Sequence, residues 1–453
     1  MKQIILMLIA TLLLPLAARA QQQKRPNIVL IISDDQRWDS IGASGNPHVI
    51  TPNIDQLARE GTYFCQATIS TPQCTPSRAS LLTGVYPHTH GKYSNQDYRP
   101  EVKTGEGFKL PMLPAQLSAN GYRTVLVGKW HLFNDPWNCG FTDVRVWLPG
   151  GSGPKKDPKL AQGESRDVKT IEGFSTEIFA SSTIQFLKSE AAKEKPFFIW
   201  HADILTHAPL QPVPERISKL YGDKKTEDLL PPGFPKDIPT HNFRRYYECA
   251  THLDEQVGRI VETLKEQKLW ENTIVTYLGD NGFMMGSRGI GAKGAAGKVV
   301  PYEESVRVPF VMRIPQGFKA TSDAPVNSID LPVTLVKQAG IAVPTEWPGR
   351  DLTRLLATGK DESVGEAFVE FADNKSEEFG KVAYRLVRTR SHKLIVWDDP
   401  ARKPELYDLV RDPREETNLY DQPEAADVQN DLKARLAAWL TKTGDSEFAE
   451  RHK

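Results

Sequence analysis

The chain has 453 residues, of which 39% are hydrophobic, and its 57 Lys and Arg residues balance 57 Asp and Glu residues. This composition is typical of a globular protein with a large core, and it excludes intrinsic disorder, a collagen-like repeat and, with only four cysteines, a disulfide-stapled scaffold. A net charge of zero gives no reason to expect nucleic acid as the main partner.

Residues 1–20 have the pattern of a signal peptide. Lys2 precedes the apolar run 4–18, and small residues at Ala18 and Ala20 form a cleavage site for signal peptidase. A membrane anchor needs about 20 apolar residues, whereas this run has 15 and contains Pro15. No later apolar run is long enough to span a bilayer, so we expect an exported protein, periplasmic or secreted, without a membrane span.

The region 21–355 alternates between strand and helix patterns. Short runs that are apolar throughout are typical of buried strands; they are Asn27–Ser33, Thr124–Gly128, Pro196–His201, Thr273–Gly279 and Val308–Ile314. Apolar residues spaced by three and four predict helices at Asn53–Glu60, Leu113–Ala119, Ser175–Lys188 and Tyr246–Glu266. This alternation predicts a layered α/β domain.

The pattern changes after residue 355. Short strands joined by polar turns are predicted at Glu366–Phe371, Val382–Arg388, Lys393–Trp397 and Glu405–Asp408. An amphipathic helix is predicted to follow them at Ala425–Leu440. The region 356–453 is therefore expected to form a smaller unit, an antiparallel sheet with a C-terminal helix.

Polar residues follow four of the predicted strands. They are Asp34 and Asp35, then Lys129, Trp130 and His131, then His207, and finally Asp280 and Asn281. Open α/β sheets bind ligands at the carboxyl ends of their strands, so we expect these side chains to meet at one edge. Each group alone also has a structural explanation, since Asp-Asn-Gly is a common turn sequence and histidine is often a core residue.

Four of these residues are suited to bind a metal ion. Asp34, Asp35, Asp280 and Asn281 offer three carboxylates and one amide carbonyl, hard oxygen donors that suit calcium better than magnesium and far better than zinc or copper. Crowded carboxylates repel one another unless a cation lies between them. A calcium site is therefore predicted.

The most specific segment is Gln73–Gly84, QCTPSRASLLTG. Pro76 suits the first turn of a helix and Gly84 its end, so Cys74 is expected at the helix N-terminus, where negative charge is favoured. A thiolate there is a reactive nucleophile, but the chain shows no histidine and carboxylate motif of a cysteine hydrolase. We therefore expect oxygen to be the nucleophile. The other cysteines have no metal-binding spacing and are expected to be buried thiols: Cys65, Cys139 and Cys249.

At this point the sequence resembles the type I sulfatases of the alkaline phosphatase superfamily. Their Cys-x-Pro-x-Arg signature is met by Cys74–Arg78. Further matching segments are Arg25–Asn27, Thr51–Asp55, Ala79–Gly84, Tyr86–Gly91, Gly128–His131, Gly279–Gly282, Pro301–Ser305, Arg307–Pro309, Glu405–Leu409 and Asp412–Pro413. The resemblance implies an alkaline phosphatase-like three-layer sandwich with a mainly parallel central sheet, plus a smaller C-terminal domain with an antiparallel sheet and a helix.

The resemblance also implies the chemistry. A maturase would convert Cys74 to formylglycine before export, and the hydrated aldehyde, bound to calcium, would attack the sulfur of a sulfate ester and hold the sulfate covalently. Calcium would be held at Asp34, Asp35, Asp280 and Asn281 together with position 74.

Five further residues receive roles by the same resemblance. Arg78 would lie beside the attacking hydroxyl, while Lys129 and Lys298 would bind the sulfate oxygens. His207 would protonate the leaving alcohol, and His131 would accept the proton whose loss expels sulfate. The chain departs from many relatives at Arg288, which stands where they have histidine, and this leaves a different substrate contact open.

The expected substrate is a sulfated carbohydrate, and the tryptophans Trp38, Trp130, Trp137 and Trp147 are open to two interpretations, sugar stacking or core packing. Two assignments stay open for His88 and His90, either lining the mouth of the pocket or a structural role. Counting back from Tyr302 favours Lys298 over Lys293 as the sulfate-binding lysine. Two alternatives stay open: a phosphate or phosphonate ester hydrolase of the same superfamily, and a sulfoglycan-binding protein without catalysis.

Overall fold

The computed structural model describes residues 25–95, 108–153, 155–210, 213–236, 240, 242–291, 297–361, 363–376 and 380–451. The predicted signal peptide and Lys293 lie outside these described residues. In the part of the chain that is described, no helix has both the length and the apolar character needed to cross a membrane.

A ten-stranded sheet forms the centre of the molecule. Its strands are β1 (Asn27–Ser33), β2 (Thr62–Phe64), β3 (Arg123–Lys129), β4 (Asp143–Leu148), β5 (Lys159–Gln162), β6 (Lys169–Thr170), β7 (Phe197–Ala202), β8 (Thr273–Gly279), β9 (Phe310–Arg313) and β10 (Ala320–Ser322). Their spatial order is β10-β2-β9-β8-β1-β7-β3-β4-β5-β6. The central strands from β8 to β4 pair in parallel and are flanked by antiparallel pairs, while the outermost pair on one side, β10 with β2, is again parallel.

Helices occur throughout the part of the chain that the structure describes. They are α1 (Pro52–Glu60), α2 (Cys74–Thr83), α3 (Pro87–His90), α4 (Leu113–Ala119), α5 (Ser175–Lys188), α6 (Ala191–Glu194), α7 (Glu215–Lys219), α8 (Phe243–Glu266), α9 (Glu303–Val306), α10 (Asp330–Gln338), α11 (Thr353–Thr358), α12 (Ala426–Thr443) and α13 (Ser446–Arg451). Short 3-10 turns join several of them.

The alternation of side chains along β1 creates two apolar faces. Ile28, Leu30 and Ile32 are fully buried in a cluster that includes residues of α2, α4 and α10. Val29 and Ile31 are buried in a second cluster that includes residues of α1, α5 and α8. Helices therefore cover both faces of the sheet, and the predicted three-layer α/β sandwich is confirmed.

A second sheet follows, with the order β11 (Glu366–Ser376), β12 (Gly380–Thr389), β13 (His392–Trp397) and β14 (Glu405–Asp408), and all its pairs are antiparallel. Trp439 of α12 stacks on Phe368 with a ring separation of 5.0 Å. On the other side, Val369 and Phe371 belong to the same apolar cluster as the central sheet. The predicted antiparallel sheet and helix are confirmed, and they share a core with the larger sheet.

Two sets of sequence-based expectations are decided by burial. Trp130 and Trp147 are fully buried, so they are core residues and are not available to stack on a sugar. Cys139 and Cys249 are buried, as expected, and neither forms a disulfide. Cys65 is also free but only half-buried, because it follows the short strand β2 near the edge of the sheet.

Candidate active site

The site lies where β1, β3, β7 and β8 end. Asp34 and Asp35 directly follow β1 and are almost completely buried. The backbone N–H of Asp34 donates to Leu205 O at 2.9 Å, and the N–H of Asp280 donates to Ser33 O at 2.9 Å. These bonds join the ends of neighbouring parallel strands, so the polar residues that follow each strand converge, as the strand-end rule predicts.

Helix α2 brings Cys74 to these carboxylates. The Sγ atom of Cys74 lies 3.3 Å from Asp34 Oδ1 and 3.7 Å from Asp35 Oδ1. The helix ends at Thr83 and is capped by Gly84, whose φ of 68° suits glycine, and a Cβ at Gly84 would lie 2.5 Å from the Trp347 ring. The predicted helix with Cys74 at its N-terminus is thus observed.

Three cations surround the thiol, and each is paired with a different carboxylate. Lys129 Nζ lies 2.5 Å from Asp34 Oδ2, and an Nη2 atom of Arg78 lies 2.8 Å from Asp280 Oδ2. Lys298 Nζ lies 2.7 Å from Asp35 Oδ1 and 3.1 Å from Cys74 Sγ. The three carboxylates and three cations therefore sum to no net charge before any ligand is considered.

Two histidines border this cluster. His207 Nε2 lies 3.7 Å from Asp35 Oδ2, and its imidazole atom is within 4.8 Å of the Cys74 thiol. The backbone carbonyl of His131 accepts a hydrogen bond of 3.0 Å from the Thr75 hydroxyl, directly beside Cys74. All ten residues selected from the sequence are thus brought to one place, while their chemical roles stay predictions.

Burial and neighbouring charges control ionisation here. Burial alone raises the pKa of the Asp34 carboxyl, yet Lys129 and the other cations hold it far below its usual range. Burial and then the neighbouring Asp34 charge raise the pKa of Asp280 to about 6. Burial, reinforced by Asp34, also raises the pKa of the Cys74 thiol, so a plain cysteine here stays protonated. An unmodified thiol is therefore a poor nucleophile in this site.

The pKa values of the two histidines are lowered rather than raised by burial. Burial lowers the pKa of His207 to about 4, although Asp35 opposes this. Burial, together with Lys129 and Arg78, holds the pKa of His131 well below its usual value. Both rings are therefore largely neutral near pH 7 in the free protein.

The oxygen donors fit a hard divalent cation. Asn281 Nδ2 donates to Asp35 Oδ1 at 2.7 Å, and Asp280 Oδ1 accepts from the Asp35 N–H at 3.2 Å, so the predicted ligands adjoin one another. Asn281 Oδ1 is buried and accepts no hydrogen bond from any residue that the structure describes. A buried carbonyl oxygen without a donor is costly unless a cation takes that place.

Arg288 does not face the site. Its guanidinium lies 4.0 Å from the centre of the Tyr302 ring and donates to the backbone carbonyl of Glu415. His90 is likewise structural, since its Nε2 lies 3.0 Å from Ser80 Oγ inside the protein. His88 contacts Glu370 at 2.7 Å, between α3 and the second sheet.

Sequence reasoning missed two side chains that support the site. Asn95 Oδ1 accepts from the Thr75 N–H at 2.9 Å, at the N-terminus of α2. Asp203 accepts from the N–H groups of Ile204 and Leu205, so it shapes the turn that carries His207. Asp203 follows β7 directly, so the strand-end rule itself selects it, whereas no sequence signal marks Asn95.

Comparisons with known proteins agree on one family. Residues 26–341 match the family model described as sulfatase, and residues 291–442 match the one described as the C-terminal part of N-sulphoglucosamine sulphohydrolase. The chain is 31% identical over 444 residues to an ulvan-active sulfatase of Formosa agariphila, covering 94% of this chain and 83% of that protein. It is 26% identical over 535 residues to an N-acetylglucosamine-6-O-sulfatase of Bacteroides thetaiotaomicron, covering 98% of this chain and 92% of that protein. A solved structure of a putative sulfatase from Bacteroides fragilis is 28% identical and superposes with a TM-score of 0.84, covering 96% of this chain and 99% of that one.

Proposed function

Since the chain belongs to the sulfatase family and is therefore a hydrolase of sulfate esters, we propose that it removes sulfate from a sulfated carbohydrate outside the cytoplasm. Its nucleophile is supplied by Cys74 after conversion to formylglycine, and its metal ion is calcium. Two relatives support a carbohydrate substrate, because one is an ulvan-active sulfatase and the other an N-acetylglucosamine-6-O-sulfatase.

The observation that carries the proposal is the setting of Cys74. Its Sγ atom is within 4 Å of two carboxylates and of the Lys298 ammonium. A nucleophile at this point has oxygen ligands for a metal on one side and a cation for an anionic substrate on the other.

Calcium is assigned to Asp34, Asp35, Asp280 and Asn281. The donor-free Asn281 carbonyl and the three adjoining carboxylates support this assignment. When bound, calcium and the formylglycine hydrate supply a polarised oxygen nucleophile for attack on sulfur. We infer that a maturase performs the conversion before export, consistent with the leader-like residues 1–20.

The remaining residues bind the substrate and move protons. Lys129 and Lys298 hold the sulfate oxygens, and Arg78 keeps Asp280 ionised through a buried ion pair. His207 protonates the leaving alcohol: its pKa of about 4 in the free protein rises when a negatively charged ester binds beside it. His131 is neutral at pH 7 and therefore able to accept the proton that is lost as sulfate leaves.

The test is sulfate release from a panel of sulfated mono- and oligosaccharides, with 4-nitrophenyl sulfate and 4-nitrophenyl phosphate for comparison. The protein is produced with a formylglycine-generating maturase, and peptide mass spectrometry measures the conversion of Cys74. We expect sulfate release that is lost in Cys74→Ala and kept in Cys65→Ser, since Cys65 lies outside the site.

Chelation of the enzyme is expected to abolish activity, and calcium to restore it better than magnesium or zinc. Activity in protein whose Cys74 is unconverted contradicts the proposed nucleophile. Faster turnover of the phosphate than of every sulfate contradicts the proposed substrate class.

A further inference from the structure

We propose that Gly151 is a positioning residue that fixes the imidazole of His131 against the reacting centre. This inference rests on the proposed role of His131 in sulfate release. It concerns a loop that no motif in the sequence connects with catalysis.

One nitrogen of the His131 ring lacks a hydrogen bond within the described part of the chain. The residue has a positive φ of 53°, and its backbone carbonyl accepts a hydrogen bond from the Thr75 hydroxyl. Nδ1 of the ring is buried and has no hydrogen-bond partner among the residues that the structure describes. The orientation of the ring therefore depends on packing rather than on a hydrogen bond at Nδ1.

Gly151 supplies that packing. A Cβ atom built on Gly151 would lie 2.3 Å from both Nε2 and Cε1 of His131 and 2.9 Å from Cδ2. These distances mean that the backbone of Gly151 lies directly against the edge of the ring that carries Nε2. Only a residue without a side chain leaves room for the imidazole there.

The backbone conformation does not explain the glycine. Gly151 is not among the glycines with positive φ, so an alanine is free of backbone strain at this position. The neighbouring glycines have no comparable contact: Gly150 has nothing within 4 Å of a built Cβ, and Gly153 has only Leu148 at 3.8 Å. The requirement for glycine is thus specific to the position that faces His131.

The topology explains why this loop reaches the site. Strand β4 pairs in parallel with β3, so that Leu148 lies opposite Lys129, and the Trp130 N–H donates to Leu148 O at 2.9 Å. The loop 149–153 therefore leaves the sheet at the same edge as His131. Its backbone closes one side of the ring, in agreement with the low pKa that burial gives this histidine.

The experiment compares Gly151→Ala with Gly150→Ala and Gly153→Ala in fully converted enzyme. In Gly151→Ala the 2.3 Å contact must open to an ordinary distance of 3.4 Å or more, so crystal structures are expected to show His131 Nε2 displaced by about 1 Å. Such a displacement is expected to lower kcat for 4-nitrophenyl sulfate roughly 10- to 100-fold. The two control variants are expected to stay within about twofold of the wild type, with unchanged ring positions.

A double-mutant cycle separates positioning from a general structural effect. If Gly151 acts through His131, Gly151→Ala has no further effect on kcat in the background of His131→Ala. The inference is overturned if the losses of kcat multiply in that cycle. It is also overturned if the His131 ring is not displaced in Gly151→Ala, or if Gly150→Ala loses as much kcat as Gly151→Ala.

The failure of the wider proposal gives a different result. Full activity of His131→Ala removes the proposed role of His131, and the role of Gly151 with it. Impaired activity of His131→Ala beside normal activity of Gly151→Ala overturns only the role of Gly151. Unfolding midpoints of all variants are measured in parallel, and the crystallographic ring position decides the question even where a midpoint is lowered.

Discussion

Replacement of Lys393 by methionine is expected to lower the free energy of unfolding by about 3–5 kcal/mol. Lys393 lies in β13 and is fully buried. Its Nζ atom lies 2.8 Å from Glu303 Oε1 and 2.6 Å from Glu415 Oε1, and it donates to Pro301 O at 3.0 Å. It therefore neutralises two buried carboxylates, one of them in α9, only a few residues after Lys298.

The magnitude follows from what remains after the substitution. Glu303 keeps its ion pair with Arg388 at 2.9 Å, whereas the Glu415 carboxylate keeps only the Glu303 N–H, at 2.8 Å, as a donor among the residues that the structure describes. Burial and the Glu303 charge already raise the pKa of Glu415 to about 7, and loss of Lys393 raises it further. When the pKa of a carboxyl is higher in the folded than in the unfolded protein, the free energy of unfolding falls as pH rises from the unfolded pKa to the folded pKa. The penalty is therefore expected to be larger at pH 8.5 than at pH 6.5.

The assay is equilibrium unfolding in urea at these two pH values. The double variant Lys393→Met with Glu415→Gln removes both charges and is expected to recover more than half of the loss. Lys442→Met, at an exposed position, serves as the control and is expected to change stability by less than about 0.5 kcal/mol. A loss below about 1 kcal/mol for Lys393→Met, or a double variant no more stable than the single one, refutes the reasoning.

Two further predictions concern other parts of the fold. Burial opposes protonation of His88, but Glu370 and Asp445 raise its pKa above the usual value. The contribution of the charged His88 to stability is therefore present below pH 6.5 and is lost as pH rises through the folded pKa. In thermal unfolding, His88→Gln is expected to lower stability by about 1 kcal/mol at pH 6 and by less at pH 8.5, and an equal loss at both pH values contradicts this. Gly128 has a φ of 94°, and a Cβ built on it would lie 1.9 Å from Ala202 O. Gly128→Ala is therefore expected to lower the free energy of unfolding by more than about 3 kcal/mol. Gly121 also has a positive φ, but nothing lies within 4 Å of its built Cβ, so the control Gly121→Ala is expected to lower it by about 1 kcal/mol.

Much of the central sheet was predictable because its strands are apolar throughout. Asn27–Ser33 and Thr273–Gly279 agree with the predicted bounds to the residue. The strands that the sequence does not signal are short or lie toward the edge, where polar residues interrupt the pattern. Lys169–Thr170, for example, is exposed and carries no apolar residue.

The assembly of the site was predictable from two rules, polar residues at strand ends and the Cys74–Arg78 signature. What the sequence does not reveal is contact between distant segments. The pairing of Arg288 with Tyr302 and the Glu415 backbone, and the approach of Gly151 to His131, depend on how loops fold back in three dimensions. The sequence does not reveal why a glycine stands in a surface loop until the residues that contact it in the folded protein are known.

The position of β1 has a consequence for the order of events in the cell. Its two neighbours in the sheet, β7 and β8, begin only at Phe197 and Thr273, so the centre of the sheet cannot close until most of the polypeptide has been made. Once it closes, the Cys74 side chain is buried and is no longer accessible to another protein. Any enzyme that alters this side chain must therefore meet it on a nascent or still unfolded chain, and no later correction is open to a molecule that folds too soon.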